Sequence, residues 1–292
     1  MSENVITSYK AFDKNMKCRG FRYEVGKEYE MDGEIKCCNR GFHACKSPIE
    51  VWDYYDMLNS RYAEVEQSGK IEKEENSTKV CSSHIKIKAE LKLADIINIG
   101  VEWLKDITSP SKVKADGVLN DNGDRRKQIG SSGNYAKIGS SGDSAQIGSS
   151  GYYAKIGSSG DYAKIGSSGY SAQIGSSGYS AQIGSSGYSA KIGSSGDYAK
   201  IGSSGYSAKI GSSGYSAKID STGEDSVIMC AGNSSIAKAK VGSWITLAEW
   251  KWSDEKKRDV PVCVKTEYVD GENIKADTWY QLKNRKFVEV TK

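Results

Sequence analysis

The residues best suited to chemistry are cysteines and a histidine in the first sixth of this 292-residue chain. They are Cys18, Cys37, Cys38, His43 and Cys45. Thiolate and imidazole are the ligands of structural zinc sites, but this spacing fits no standard zinc pattern, and adjacent cysteines in a strand point to opposite faces. A nucleophilic pair of Cys45 with His43 or His84 would need spatial adjacency and an activated thiolate. The sequence therefore predicts no catalytic residue, metal or cofactor, and a metal- or cysteine-dependent enzyme in this region stays an alternative.

The cysteine count and the N-terminal residues bear on the compartment. Seven cysteines are an odd number, which suits reduced thiols better than a disulfide framework. The first residues contain no apolar run of the signal-peptide kind, and nowhere do eighteen uncharged apolar residues follow one another. We therefore expect a cytoplasmic protein that does not contact a membrane.

A nine-residue repeat, IGSSGxxAK, occupies the middle of the chain. Its isoleucine recurs ten times from Ile129 to Ile210, and the units from Ile219 onward lose the consensus. Residues 121–128 are interpreted as an entry segment. Degenerate units at both ends are typical of repeat architectures, which must cap their apolar surface.

The repeat predicts strands separated by corners. Alanine and isoleucine lie two residues apart and so share one face of a strand, and Gly-Ser-Ser-Gly is interpreted as the turn. Two glycines and two serines in nine residues would cost a helix about 2 kcal/mol per unit. We expect two units to form an 18-residue coil of a β-solenoid, with isoleucine, alanine and one serine per corner inside.

Pairing alternate units gives two outward rows and two corner columns. One row is Lys137, Lys155, Gln173, Lys191 and Lys209, and the other is Gln146, Lys164, Gln182, Lys200 and Lys218. The columns are Asn134, Tyr152, Tyr170, Tyr188 and Tyr206 on one side, and Asp143, Asp161, Tyr179, Asp197 and Tyr215 on the other. Positions that accept Asp, Asn or Tyr must reach solvent. We predict that Tyr170, Tyr188 and Tyr206, with Lys191 and Lys209, form a binding surface, since tyrosine is enriched in binding hot spots.

The segments on either side of the array predict small globular domains. Ser47-Pro48-Ile49-Glu50 has the pattern of a capping box and predicts a helix over 48–58. Alternation predicts a strand over 85–91, and apolar periodicity predicts a helix over 94–107. Near the C-terminus, strand-like runs with Asp270-Gly271 as the clearest hairpin signal predict a β-meander. We assign an α+β domain to 1–118, the solenoid to 119–240 and the β-meander to 241–292, for a mainly β protein.

Several stretches resemble a family of uncharacterised proteins from bacteriophages and prophages of gut bacteria. The resemblance rests on YKAFDKNMKCRGFRYEVGKEYE, GFHACKSPIEVWDYY, the glycine-serine array, GSWITLAEW and KTEYVDGENIKADTWYQL, and it covers nearly the whole chain. Members commonly carry AASGDYS-like units where this chain has IGSSGYSAK. The resemblance implies a phage origin and a β-solenoid, but no reaction and no ligand; with a phage origin, the cytoplasm expected above is that of a host cell.

Three functions are compatible with these patterns. The leading one is a non-enzymatic binding protein whose solenoid presents tyrosine and lysine to a host or phage protein and interferes with a host process such as antiviral defence. The second is the enzyme named above, with the solenoid as its handle. The third is nucleic-acid binding, although a net charge of +4 over the array, from seven lysines and three aspartates, is low for such proteins. Self-association into a homo-oligomer stays open.

Overall fold

The computed structural model describes residues 5–74, 77–108, 118–120 and 126–291. The chain is mainly β and divides into two compact units between Trp103 and Leu104. The three domain ranges proposed from the sequence stay predictions. The expected entry segment, 121–128, lies outside the described residues except for 126–128.

The N-terminal unit is built on a five-stranded sheet. Its elements are β1 (Ile6–Phe12), β2 (Lys17–Cys18), β3 (Phe21–Arg22), β4 (Glu28–Glu30), β5 (Phe42–Cys45), a 3-10 helix (Pro48–Asp53), β6 (Arg61–Lys73), β7 (Lys79–Leu91) and the beginning of α1 (Leu93–Thr108). The sheet order is β4-β7-β5-β1-β6, and β6 also pairs with β7, which closes the sheet on itself. Strands β2 and β3 form a separate short hairpin. Phe12, Tyr23 and Phe42 are at the centre of one apolar cluster of this unit.

Two of the three elements predicted here are confirmed. The strand over 85–91 is the second half of β7, and the helix over 94–107 is α1, whose Asp95 carboxylate accepts a hydrogen bond from the Lys92 N–H. The predicted helix over 48–58 is wrong in type and length, because only a 3-10 helix forms over Pro48–Asp53 and Ser47 makes no side-chain cap. Glu50 does not complete a capping box; its carboxylate accepts hydrogen bonds from Ser77 and Thr78 instead.

The C-terminal unit is a β-solenoid whose strands alternate between two nine-stranded sheets. The front sheet contains β8 (Val118–Asn120), β10 (Lys137–Ser140), β12 (Lys155–Ser158), β14 (Gln173–Ser176), β16 (Lys191–Ser194), β18 (Lys209–Ser212), β20 (Val227–Cys230), β22 (Trp244–Ser253) and β23 (Arg258–Tyr268). The back sheet contains β9 (Gln128–Ser131), β11 (Gln146–Ser149), β13 (Lys164–Ser167), β15 (Gln182–Ser185), β17 (Lys200–Ser203), β19 (Lys218–Ser221), β21 (Ile236–Lys238), β24 (Tyr280–Lys283) and β25 (Lys286–Glu289).

The register of these strands confirms the predicted 18-residue coil. Ile138 pairs with Ile156 in the front sheet, and Ile147 with Ile165 in the back sheet, in parallel ladders. The array isoleucines and alanines are buried, as predicted, and each expected inward serine is buried at the end of its strand. Each array isoleucine contributes about 1.5–3 kcal/mol of hydrophobic stabilisation, and the ladders satisfy backbone groups of successive coils.

The turn differs from the predicted Gly-Ser-Ser-Gly. The strand is Lys-Ile-Gly-Ser or Gln-Ile-Gly-Ser, so the first glycine of each unit lies in a strand, and of the predicted turn only the second serine and second glycine belong to the corner. The second glycine is required by coil stacking: a Cβ on Gly187 would lie 2.0 Å from the carbonyl oxygen of Gly169 in the preceding coil. Parity alone could not reveal this close approach between coils.

One non-glycine residue in each corner has the left-handed backbone conformation. Ser171, for example, has φ +55°, and its N–H donates a 2.8 Å hydrogen bond to the Tyr188 carbonyl of the next coil. The same pattern recurs at Ser180 and Ser189, which donate to Asp197 and Tyr206. This conformation directs the N–H along the coil axis, so backbone hydrogen bonding continues through the corners.

The C-terminal strands form two hairpins, each joined to one solenoid sheet. Strand β22 pairs in parallel with β20 and antiparallel with β23, while β24 pairs with β21 and β25. The hairpin signal at Asp270-Gly271 is wrong: the Asp270 carboxylate accepts N–H groups of Glu272, Asn273 and Ile274 within the loop between β23 and β24. The β24–β25 turn is made by Asn284 and Arg285, both at positive φ.

Candidate binding surface

The predicted tyrosines form a stacked column at the corner that leads from the back sheet to the front sheet. We call Tyr152, Tyr170, Tyr188 and Tyr206 the tyrosine ladder. The ring centroids of Tyr170 and Tyr188 are 5.3 Å apart with planes 4° from parallel, and those of Tyr188 and Tyr206 are 6.2 Å apart at 26°. The rings are exposed, from 42% for Tyr170 to 56% for Tyr152. Because the 18-residue coil repeats the same corner position, the ladder follows directly from the sequence period.

The predicted lysines begin the front-sheet strands that follow this corner. We call Lys137, Lys155, Gln173, Lys191 and Lys209 the front row; all five are exposed. Lys191 and Lys209 are register partners in adjacent strands, and Gln173 interrupts the run of charge. Like charges about 4.8 Å apart repel, so this row holds unfavourable electrostatic energy that an acidic partner would relieve.

A row of glycines lies beside the front row. A Cβ added at Gly157, Gly175, Gly193 or Gly211 would meet no atom within 4 Å, so no steric constraint of the fold excludes a side chain at these positions. With the lysines and isoleucines they line a shallow groove of about 770 Å³. The front sheet therefore offers a shallow groove lined by the front row, next to the corner that carries the tyrosine ladder.

The back sheet does not repeat this arrangement. The sequence predicts that Gln146, Lys164, Gln182, Lys200 and Lys218 face outward like the front row. In the structure Lys164 is 1% exposed and Gln146 is 5% exposed, and the other three are half-buried. The expectation of two equivalent solvent-facing rows is wrong, because nine-residue periodicity fixes only which residues avoid the solenoid core.

The opposite corner, which leads from the front sheet to the back sheet, uses its aspartates for backbone bonding. The Asp161 carboxylate accepts the Tyr179 N–H at 2.8 Å, and that of Asp197 accepts the Tyr215 N–H at 2.7 Å. Asp143 does the same for Asp161 at 3.2 Å. These carboxylates hold successive coils together, a role that the sequence analysis did not identify; an exposed Asp at an 18-residue interval was the available signal.

The cysteines and histidine of the N-terminal unit form polar contacts of other kinds. The Cys37 thiol donates to the Glu72 carbonyl, and His43 Nε2 accepts the Cys38 N–H at 3.0 Å. Cys38 Sγ lies 3.0 Å from Lys79 Nζ. Within the described residues, no three His, Cys, Asp or Glu side chains are grouped so that they could hold a metal ion.

The pKa values of Cys45 and His43 are not those of an activated thiolate and imidazole pair. Burial raises the pKa of the Cys45 thiol far above its usual range, and burial together with the nearby cations Lys10, Arg19 and Lys79 lowers the pKa of His43 to about 4. His84 is bonded through Nδ1 to Ser68 and lies 3.5 Å from the Glu28 carboxylate. The geometry therefore gives no support to a Cys45 nucleophile activated by either histidine.

No described helix has both the length and the apolar character needed to cross a bilayer. The chain matches no curated protein and no solved structure. Residues 6–99, which include the sheet of the N-terminal unit, match a domain of unknown function, DUF7666.

Proposed function

We propose that this protein is a non-enzymatic binding protein whose solenoid presents the tyrosine ladder and front row to an acidic surface of a partner protein. The observation that carries this proposal is the exposure of both features on one side of the solenoid, while the corresponding back-sheet row is buried or half-buried. The N-terminal cysteines and histidine, in contrast, are engaged in local contacts.

The surface suits protein recognition because it is ordered before binding. The ladder rings are held by stacking and the strands by parallel ladders, so little conformational entropy is lost when a partner docks. Tyrosine adds apolar area and a hydroxyl at each coil, which favours it at interface hot spots.

The positive charge of this surface indicates that the matching surface of the partner is acidic. Between residues 134 and 212, the front sheet and the corner carrying the tyrosine ladder contain four lysines and no acidic residue. An acidic protein surface would relieve the repulsion within the front row and gain rate from electrostatic steering.

Stacking within the ladder favours protein over nucleic acid. The faces of Tyr170 and Tyr188 pack on one another at 5.3 Å, so they are not free to sandwich bases as in single-strand binders. Self-stacked rings instead expose edges and hydroxyls, which are suited to protein contacts.

The resemblance to phage proteins completes the proposal. The partner is a host or phage protein in the cytoplasm of an infected bacterium, and binding antagonises a host defence process. This step rests on the resemblance alone, with no contribution from the geometry.

The test compares matched corner variants in capture from infected-cell lysate. We expect Tyr188→Ala and the double variant Lys191→Gln, Lys209→Gln to lose an acidic partner that the wild-type protein and Tyr198→Ala retain. Tyr198 is exposed on the opposite corner and controls for loss of a tyrosine. Failure of the wild-type protein to capture any partner, or equal capture by all variants, contradicts the proposal. Displacement by single-stranded DNA would favour the nucleic-acid alternative.

A further inference from the structure

A second surface, in the N-terminal unit, has the features of a small-molecule site. It is a cavity of about 1000 Å³ between β1, β4, β5 and the β2–β3 hairpin. Ligand sites of this size are mostly apolar with a few convergent polar groups. The walls here combine aromatic rings with cationic side chains.

Lys10 is the most unusual group in this cavity. Its side chain is buried at 4% exposure, and Nζ donates a 2.7 Å hydrogen bond to the His43 carbonyl and lies 5.5 Å from the centre of the Tyr23 ring. Among the described residues, no Asp or Glu forms an ion pair with it; the Cys18 side chain hydrogen-bonds to it, and Cys45 and Arg19 also act on it electrostatically. Burial lowers the pKa of Lys10. A buried ammonium with no counter-ion is costly unless a bound anion supplies one.

Arg19 adds a second positive charge at the same cavity. It lies between β2 and β3 with φ +49°, is exposed, and lowers the pKa values of both Lys10 and His43 by its charge. The cavity wall contains two acids: Glu28 is already engaged by Lys86 Nζ and His84 Nε2, and Glu30 is exposed to solvent. Two cations that line the same cavity and repel one another form a site for an anionic group, and guanidinium is suited to phosphate oxygens.

Aromatic rings form the neighbouring wall. Phe21 packs edge-on against Tyr23 at 4.8 Å and Tyr29 at 5.2 Å, and these two tyrosines are 5.3 Å apart. Phe21 is 48% exposed although it is a large apolar side chain. An exposed ring held in place by its neighbours offers a stacking surface to a planar group.

We propose that this cavity binds a nucleoside phosphate, with the phosphate at Lys10 and Arg19 and the base against Phe21. The ligand matches both chemical features of the lining: an anion beside Lys10 and Arg19, and a planar ring on the aromatic wall. This assignment is independent of the solenoid surface.

The test is the binding of mant-AMP to the full-length chain, followed by fluorescence and competed with unlabelled AMP, adenosine and inorganic phosphate. We expect AMP to displace the probe and each of the other two to compete at least about tenfold less well, because adenosine lacks the phosphate and inorganic phosphate lacks the base. Lys10→Met and Arg19→Gln should each weaken binding about tenfold or more, since charge-assisted contacts are lost. Arg22→Gln, which removes the same charge from the same hairpin but not from the cavity wall, should bind like the wild-type protein.

Three results would overturn the proposal. They are absence of probe binding up to about 1 mM, unchanged binding in Arg19→Gln, and competition by phosphate alone equal to that of AMP. Arg19 is exposed, so its variant decides the matter even where Lys10→Met fails to fold. Tyr188→Ala should leave probe binding intact, which separates this test from that of the proposed function.

Discussion

The front and back sheets of the solenoid are built from the same nine-residue unit, yet only one presents its charged row to solvent. Lys191 and Lys209 on the front are exposed, whereas Lys164 on the back is buried. The repeat fixes which residues fill the core, but it does not fix how exposed the outer row of each sheet is. A repeated sequence therefore does not imply a repeated function, and the two sheets must be tested separately.

The largest effect is expected from the corner glycines. Gly187→Ala would place a Cβ 2.0 Å from a backbone carbonyl of the preceding coil, so the coils must separate, and we expect a loss of more than about 3 kcal/mol in the free energy of unfolding. Gly175→Ala, on the front sheet, meets open space and should change stability by less than about 0.5 kcal/mol. Urea unfolding of both variants measures the difference, and equal losses would contradict the stacking geometry.

The next largest difference in stability is expected between variants of a back-sheet lysine and a front-sheet lysine. Lys164→Ala removes a fully buried side chain with its polar contacts and should cost about 2 kcal/mol. Lys155→Ala removes an exposed charge from a repelling row and should be neutral or slightly stabilising. The thermal unfolding midpoints of the two variants measure this difference in stability. Equal midpoints would mean that the outer lysines of the two sheets contribute equally to stability.

Two buried serines of the solenoid, Ser185 and Ser235, should change stability with opposite signs when each is replaced by alanine. Ser185 Oγ is buried and has no hydrogen-bond partner within the described part of the chain, whereas Ser235 Oγ accepts the Ala217 N–H at 2.9 Å and donates to the Gly214 carbonyl. Ser185→Ala should raise stability by about 1 kcal/mol, since an unsatisfied hydroxyl is removed. Ser235→Ala should lower it by a similar amount. Chemical denaturation distinguishes the signs, and destabilisation by Ser185→Ala would show that its hydroxyl is bonded.

A smaller, pH-dependent effect is expected in the N-terminal unit. Burial and the cations Lys10, Arg19 and Lys79 lower the pKa of His43 from 6.5 to about 4, so the unfolded chain binds more protons between these values. Stability from neutral His43 is present above pH 6.5 and is lost as the pH falls toward 4. In His43→Gln this part of the pH dependence should vanish from urea midpoints measured between pH 7.5 and pH 5; an unchanged dependence would assign it to other groups.

The solenoid could be predicted from the sequence because the nine-residue period places the same residue types in the core in every unit. Isoleucine and alanine two residues apart, repeated every nine, place Ile138 on Ile156 without further information. The tyrosine ladder followed for the same reason. The turn was misplaced because adjacent glycine and serine predict a corner from local propensity, whereas the first glycine and serine of each unit, such as Gly175 and Ser176, are paired in a strand.

The N-terminal unit was less accessible because its important contacts are unique. Glu50 had the spacing of a capping box, yet it bonds Thr78, which is 28 residues away in sequence. The sequence around Lys10 does not indicate that its side chain is buried. The cavity that Lys10 lines is formed by segments from β1 to β7, which are far apart in the sequence. Local pattern identifies repeated contacts well and single long-range contacts poorly.

Amine labelling of the folded protein, followed by mass spectrometry, compares chemically identical lysines on the two sheets. We predict rapid modification of Lys137, Lys155, Lys191 and Lys209, protection of Lys164, and intermediate rates for Lys200 and Lys218. Modification of Lys164 as fast as Lys191 would contradict this prediction, because both sheets would then expose their lysines and the front sheet would not be a distinct binding surface.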